Sequence, residues 1–334
     1  MYIKRILLGI ALVGLIGGGI FAYIVFGTFF TPNTNFNNDE AIVFIPSNAS
    51  VSDLEERLAP LLEDFGSFKS AAERKGYISN IKPGRYKITK GMNNNEIVNS
   101  LRSGNLPVKV SFNNQESIND LAGRIASQIE ADSVALVAAF DDKEFLKANG
   151  FDDDNKISLY IPNSYEFFWN TSAEGFRGRM LKEYNRFWTD TRKEKASALG
   201  LKPNEVIALA SIVHKETAKV DERPTVAGVY LNRLRKGMLL QADPTVIYAI
   251  KKETGNYDTI IKRVLYRDLE MDSPYNTYKY AGLPPGPIAM PDITAIDAVL
   301  NPKKHNYYYF VANVEKFGYH MFAENLTQHN RNKE

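Results

Sequence analysis

The chain has 334 residues, long enough for two domains with a sizeable core, and its 41 Lys and Arg nearly balance 39 Asp and Glu for a net charge of +2, so no basic field points to nucleic acid. Cysteine is absent, which excludes thiol nucleophiles, disulfides and cysteine-based zinc sites. The four histidines (His214, His305, His320 and His329) form no His-x-x-x-His pair, so neither a metal nor another cofactor is expected.

In chain order, the first element is an unbroken apolar and glycine run from Ile6 to Phe26, about 32 Å long as a helix. A membrane span over 6–28 is expected, after a tail of residues 1–5. Lys4 and Arg5 precede the run and no Lys or Arg follows it until Arg57, which puts the N-terminus in the cytoplasm and the rest outside. The run is long for a signal-peptide core and no small-x-small cleavage site follows it, so an uncleaved anchor in the bacterial cytoplasmic (inner) membrane is expected. Residues 29–40, Asn-rich with one proline, are expected as a linker.

A small strand–helix–helix–strand pattern follows over 41–107. The strands are 42–45 and 84–88. Ser52 or Asp53 is expected to cap a helix carrying Leu54, Leu58, Leu61 and Leu62, with Pro60 limiting it. The second helix is 65–75, and a further one runs from about Asn94 to Arg102. In pattern and size this unit resembles LysM-type modules, which bind N-acetylated glycans; a spacer without a ligand is the other reading.

Residues 108–334 read as one larger α+β domain. An alternating edge strand at 108–112 leads into helices at 117–130, 133–139 and 143–148. Asp152, Asp153 and Asp154 lack the Gly and terminal Glu of a calcium loop and are expected as a solvated turn. Phe176, Met180, Tyr184, Phe187 and Trp188 give a helix whose aromatic face belongs to the core. From Glu205, the residues Val206, Leu209, Ala210 and Val213 recur at helical spacing. Glu216 continues the edge of that stripe. Burial there raises a carboxyl pKa and keeps a proton available near neutrality, as a general acid requires; a helix-end glutamate in solvent is the plain alternative.

Three polar clusters come next. Val226, Val229, Tyr230 and Arg233 share a face of a second helix, and Asn232 and Arg233 are candidates to face a cleft or cap the helix. Asp243 before Pro244 has the form of a helix N-cap, whereas Gln241 is a candidate hydrogen-bonding group for a sugar. The Ser-Pro-Tyr-Asn-Thr-Tyr run (273–278) precedes Gly-Leu-Pro-Pro-Gly-Pro-Ile (282–288), expected as a rigid exposed turn. Rings stack on sugar faces and amides read hydroxyls, so Tyr and Asn there suit carbohydrate.

These stretches, with Ala-Ser-Ile-Val-His-Lys-Glu-Thr (210–217), Asn-Arg-Leu (232–234), Leu-Gln-Ala-Asp-Pro-Thr-Val-Ile-Tyr (240–248), Ile-Pro-Asn-Ser-Tyr (161–165), Tyr-Tyr-Tyr-Phe-Val-Ala (307–312) and 320–330, resemble the YceG-like endolytic murein transglycosylases over nearly the whole chain. The resemblance implies cofactor-free cleavage of the MurNAc-β-1,4-GlcNAc bond of peptidoglycan, leaving 1,6-anhydro ends. Glu216 would be general acid and then base. Gln241, Asn276 and Tyr278, with Asp243 and Asn232, would position substrate, and cell-wall synthases would be partners. His214 stands where the family carries an acidic residue. Two other readings remain: a lysozyme-like hydrolase with Asp243 or Asp272 as second carboxylate, and a membrane-anchored glycan-binding scaffold without catalysis.

Overall fold

The computed structural model describes residues 2–334. It opens with helix α1 (Tyr2–Phe30), none of whose residues is buried; by length and composition it is the one described helix able to cross a membrane. The chain then divides into two compact units. The first runs to Val110 and takes back Gln128–Glu130 and Glu166–Thr171; the second holds Ser111–Ser127, Ala131–Tyr165 and Ser172–Glu334.

The first unit contains β1 (Glu40–Ile45), α2 (Val51–Leu58), α3 (Phe65–Arg74), β2 (Gly84–Thr89) and α4 (Asn94–Ser103). β1 and β2 pair antiparallel, with Val43 opposite Tyr86. Strand alternation turns Val43, Ile45, Tyr86 and Ile88 into one core with Leu54, Leu58, Phe68, Ile97 and Leu101 from the helices. The cap of α2 is Ser50, not Ser52 or Asp53. Ser50 Oγ accepts the Asp53 N–H at 3.2 Å and the Asp53 carboxylate accepts the Ser50 N–H at 2.7 Å, so Asp53 is the N3 partner of a capping box. The segment expected as a linker is docked. Asn33 is buried, donates to Asn94 Oδ1 (2.7 Å) and Asp64 O (2.9 Å), and accepts from Asp64 N (2.8 Å). Burying that amide requires these partners, which fastens the chain leaving α1 to the unit. The returning segments join the same way: Trp169 packs on Phe44 at 5.0 Å and Glu130 accepts from Ser47 N and Oγ.

β3 (Pro107–Phe112) leads on to α5 (Ile118–Ala126), α6 (Ser133–Phe140) and α7 (Lys143–Ala148), and β4 (Asn163–Phe168) pairs with β3. Then come α8 (Ala173–Phe187), α9 (Asp190–Ala198), α10 (Pro203–Glu216), α11 (Arg223–Arg235), α12 (Asp243–Thr254) and α13 (Ile293–Leu300). The antiparallel ribbon of β5 (Tyr309–Ala312) and β6 (His320–Ala323), and α14 (Leu326–Lys333), end the chain. Among the described residues strands pair only in two-stranded ribbons, so this is a mixed α and β chain.

The second unit is organised on α10. A one-sided stripe is expected from its spacing, yet every residue from Val206 to Val213 is buried. A helix apolar all round belongs inside a core, and α11 and α13 pack against it. Its one hydroxyl in that run is satisfied: Ser211 Oγ donates to Ala208 O (2.7 Å) and accepts from Ile288 N (3.0 Å). The aromatic face of α8 is core as expected, with Phe176, Met180 and Tyr184 buried. The 282–288 turn is not the exposed loop expected: Pro284, Gly286, Pro287 and Ile288 are buried. A side chain at Gly286 would put Cβ 1.9 Å from Asp154 O, so only glycine admits this close backbone approach.

Candidate active site

α10 ends at Glu216, with Thr217 as its C-cap. The buried helix delivers the carboxyl into a cleft of about 430 Å³ whose lining includes Tyr230, Arg233, Gln241, Asp243 and Tyr278. Glu216 is half-buried. Burial pushes its carboxyl up to about 7, and the negative charge of Asp243 pushes the same way. Opposing them are a hydrogen bond from Tyr230 and the positive charges of His320 and Arg233. Near neutral pH the group is therefore divided between acid and carboxylate.

Tyr230, fully buried on α11, donates its hydroxyl to Glu216 Oε1 at 2.6 Å. Burial drives the tyrosine pKa well above its usual value, and Glu216 adds to this, so the hydroxyl keeps its proton. Oε1 is thus fixed as an acceptor, and the proton of the neutral acid sits on Oε2, which takes no hydrogen bond from the described residues. Arg233, one turn further along α11, is also buried. Its guanidinium donates to Tyr308 O (2.6 Å), Leu240 O (2.8 Å) and Leu239 O (3.2 Å). It holds two cleft walls together while its charge favours the Glu216 carboxylate.

The loop 239–242 carries a local strain. Gln241 has φ +50, sparsely populated for a residue other than glycine. Its N–H donates to Thr277 O (3.0 Å), and the next N–H, of Ala242, donates to Thr277 Oγ1 (3.0 Å). These bonds hold the Gln241 side chain exposed at the cleft. Asp243 is the first residue of α12 and Ala242 its cap, so the N-cap role expected of Asp243 falls to its neighbour. The carboxylate accepts instead from Tyr278 Oη at 2.5 Å, and the pair forms one side of the cleft.

Two expected substrate contacts lie elsewhere. Asn276 is fully buried; it donates to Leu269 O and Met271 O (both 2.8 Å) and accepts from Tyr278 N (3.0 Å). With its amide consumed by backbone, it positions Tyr278 rather than touching a ligand. Asn232 donates to His305 O (2.9 Å) and Tyr307 O (3.1 Å), anchoring the approach to β5. Asp272, the other carboxylate considered for a hydrolase, is exposed, bonded to Tyr280 Oη at 2.5 Å and outside the cleft lining.

His214 is engaged in a polar cluster with Asp292 and Arg223. Its Nδ1 lies 3.3 Å from Asp292 Oδ2 and 3.3 Å from Arg223 Nη2, and Arg223 Nη1 donates to Asp292 Oδ1 at 2.6 Å. Burial pushes the Asp292 carboxyl up, but His214, Arg223, Thr294 and the N–H of Ala295 outweigh it and hold it far below the usual range. Asp292 also caps α13, so the cluster ties the last turn of α10 to α13. Glu222 and His320 form a second pair, 2.8 Å between Oε2 and Nδ1. Among the described residues no three His, Cys, Asp or Glu side chains converge as metal ligands.

Sequence reasoning missed Tyr230 as a site residue: it falls on the apolar face of α11 and reads as packing. It also gave no role to Tyr309, Phe310, His329 and Lys333, which complete the cleft.

The YceG-like family model matches residues 43–334. The chain is 32% identical over 312 residues to an endolytic murein transglycosylase of Bacillus subtilis, covering 87% of this chain and 83% of that protein. It is 28% identical over 350 residues to one of Streptococcus pneumoniae, covering 95% of this chain but spanning only 62% of that protein's length. The crystal structure of a YceG-like protein from Listeria monocytogenes superposes with a TM-score of 0.58 at 28% identity, covering 89% of this chain and all of that one. With the match to the family model extending over nearly everything that follows α1, and the same fold in a solved relative, the chain belongs to the YceG-like family.

Proposed function

We propose that this chain is an endolytic murein transglycosylase, tethered by α1 to the bacterial cytoplasmic membrane, that cuts the MurNAc-β-1,4-GlcNAc bond and leaves 1,6-anhydro-MurNAc ends. The observation that carries the reading is the Glu216 carboxyl, held at about 7 in a cleft and hydrogen-bonded by Tyr230, in a chain whose relatives bear that name. The neutral acid protonates the glycosidic oxygen from Oε2 as the bond to the muramoyl C1 breaks. The resulting carboxylate is stabilised by the Tyr230 hydroxyl and by the Arg233 charge. It then takes the proton of the C6 hydroxyl as that oxygen closes on C1. The proton is back on Glu216 and no water is consumed. One carboxyl suffices because the nucleophile belongs to the substrate, whereas ordinary glycosidases divide the work between two. Gln241 and the Asp243–Tyr278 pair position the sugar.

The finer parts of the reading rest on pattern. The antiparallel β1–β2 pair enclosing two helices supports a LysM-like, glycan-binding first unit. Lys4 and Arg5, in the first turn of α1 ahead of its apolar run, support a cytoplasmic N-terminus, with both units outside, where nascent strands and the wall synthases are met first. The test is mass spectrometry of purified murein treated with the protein and with Glu216→Gln. Anhydro-ended products absent with the variant establish the reaction. Reducing-end products, one water heavier, make the protein a hydrolase and point to Asp243. No cleavage by folded protein leaves a glycan-binding scaffold.

A further inference from the structure

The cleft is divided by charge. Glu216 and Asp243 stand on the α10 and α12 side, and α14 forms the opposite wall with Leu326, His329 and Lys333. These three are spaced i, i+3 and i+7, so a single helix face is turned to the cleft. The face is fixed by stacking of the His329 ring on Tyr309, centroids 5.3 Å apart. Tyr309 also lies 5.2 Å from the Arg233 guanidinium, so its ring serves the wall rather than offering a free sugar platform. The charge of this wall rests on one residue. Arg233 is already occupied by three backbone carbonyls. His329 is held below its usual pKa by burial and by Lys333 and Arg233, so it is neutral at physiological pH. Lys333 is exposed and has no carboxylate within 4 Å among the described residues. An ammonium without an ion pair at the rim of this cleft is free to meet an anionic group on a bound strand.

We propose that α14 is a specificity wall and that Lys333 recognises a carboxylate carried by the glycan next to the scissile bond. The inference rests on the transglycosylase reading, in which every second sugar carries a lactyl ether. Two sources share this chemistry: the lactyl carboxylate itself where no peptide is attached, and the carboxylates of an attached stem peptide. A polymer of neutral N-acetylhexosamine alone offers neither. Because α14 has no buried residue, changing Lys333 leaves the core untouched.

The test measures KM and kcat for wild type, Lys333→Met and Lys333→Glu as full-length protein in detergent, with equal Tm as the check on folding. Three substrates are compared: peptide-bearing murein strands, strands stripped by an amidase, and stripped strands whose carboxylates are amidated with methylamine. Lys333→Met should raise KM roughly two- to five-fold, the span of an exposed ion pair, on the strand that supplies the carboxylate. Lys333→Glu should raise it further, with kcat little changed. The anionic strand showing the effect identifies the source. On amidated strands the variants and wild type should converge if the lactyl group is read. Equal KM for all three proteins on both anionic strands, with wild type active, overturns this inference alone. Wild type releasing no anhydro product from any strand overturns the transglycosylase reading and this inference with it.

Discussion

Replacing Tyr230 by Phe removes one hydroxyl and little volume, and its effect on Glu216 has a definite sign. A hydrogen bond to an ionised partner is worth about 1.5–3 kcal/mol and one to a neutral partner about 0.5–1.5. The carboxylate therefore loses roughly 1–1.5 kcal/mol more than the acid, which is about one pKa unit. Glu216, at about 7 in the native protein, should move to roughly 8. The alkaline limb of kcat/KM, set by loss of the Glu216 proton in the free enzyme, should shift up by the same amount. Plateau kcat should fall about five- to ten-fold, because charge developing on Glu216 is stabilised less by the same 1–1.5 kcal/mol. Asp243→Asn gives the opposite sign. It removes the negative neighbour that raises Glu216 while its Oδ1 still accepts from Tyr278, so the limb should shift down. The assay is release of anhydro-ended fragments between about pH 5 and 9, roughly two units either side of the Glu216 midpoint of about 7. Limbs that stay put in both variants, or move in one direction, refute the balance of forces drawn for this site.

Glu216→Gln should raise thermal stability above neutral pH. The folded carboxyl titrates at about 7 against a reference of 4.5, so its stabilising contribution is complete below 4.5 and is lost as pH rises through 7. At pH 8 the variant should gain about 1–3 kcal/mol, less than the full shift implies because the cleft admits water; a melting series should show the gain vanish near pH 4. Asp292→Ala strips the partner from Arg223, which is 3% exposed, and the cap from α13. Urea unfolding should show a loss of about 3–4 kcal/mol, and Asp292→Asn, which still caps, a smaller one. Gly286→Ala forces Cβ onto the Asp154 carbonyl; it should cost about 3 kcal/mol or more and lower activity only in proportion to the unfolded fraction.

The parts of this molecule legible in the sequence are those governed by short-range rules. Helical spacing located α3, α4 and α10 to within a residue or two, the short runs 42–45 and 84–88 fall within β1 and β2, and the alternation of 108–112 falls within β3. Glu216 was legible because its helix was, although the desolvation comes from a fully buried helix ending in a cleft rather than from the edge of a stripe. Errors fell where a polar side chain has two local options. Asp243 has the form of a cap, yet Ala242 takes the cap position and frees the carboxylate for Tyr278. Asn276 has the form of a sugar-reading amide, yet Leu269 and Met271 carbonyls claim it. Tyr230 sits 14 residues beyond Glu216 on a face that periodicity assigns to packing; only the crossing of α10 and α11 tells that its hydroxyl meets a carboxyl.

That crossing also explains why one carboxyl can perform both halves of the proposed reaction. In a two-carboxylate glycosidase the environments push the two pKa values apart, one group kept protonated and the other ionised. Here a single group must give a proton and take one back, which is most efficient when neither form is strongly favoured at the working pH. Burial and Asp243 alone would strand Glu216 as an acid too weak to donate. Tyr230, Arg233 and His320 alone would leave it a carboxylate. Both sets converge on the last residue of α10, and Tyr230→Phe and Asp243→Asn each remove one weight from that balance. Paired shifts of opposite sign, rather than loss of activity in any single variant, are therefore the evidence that separates a tuned acid–base from a glutamate that is merely buried.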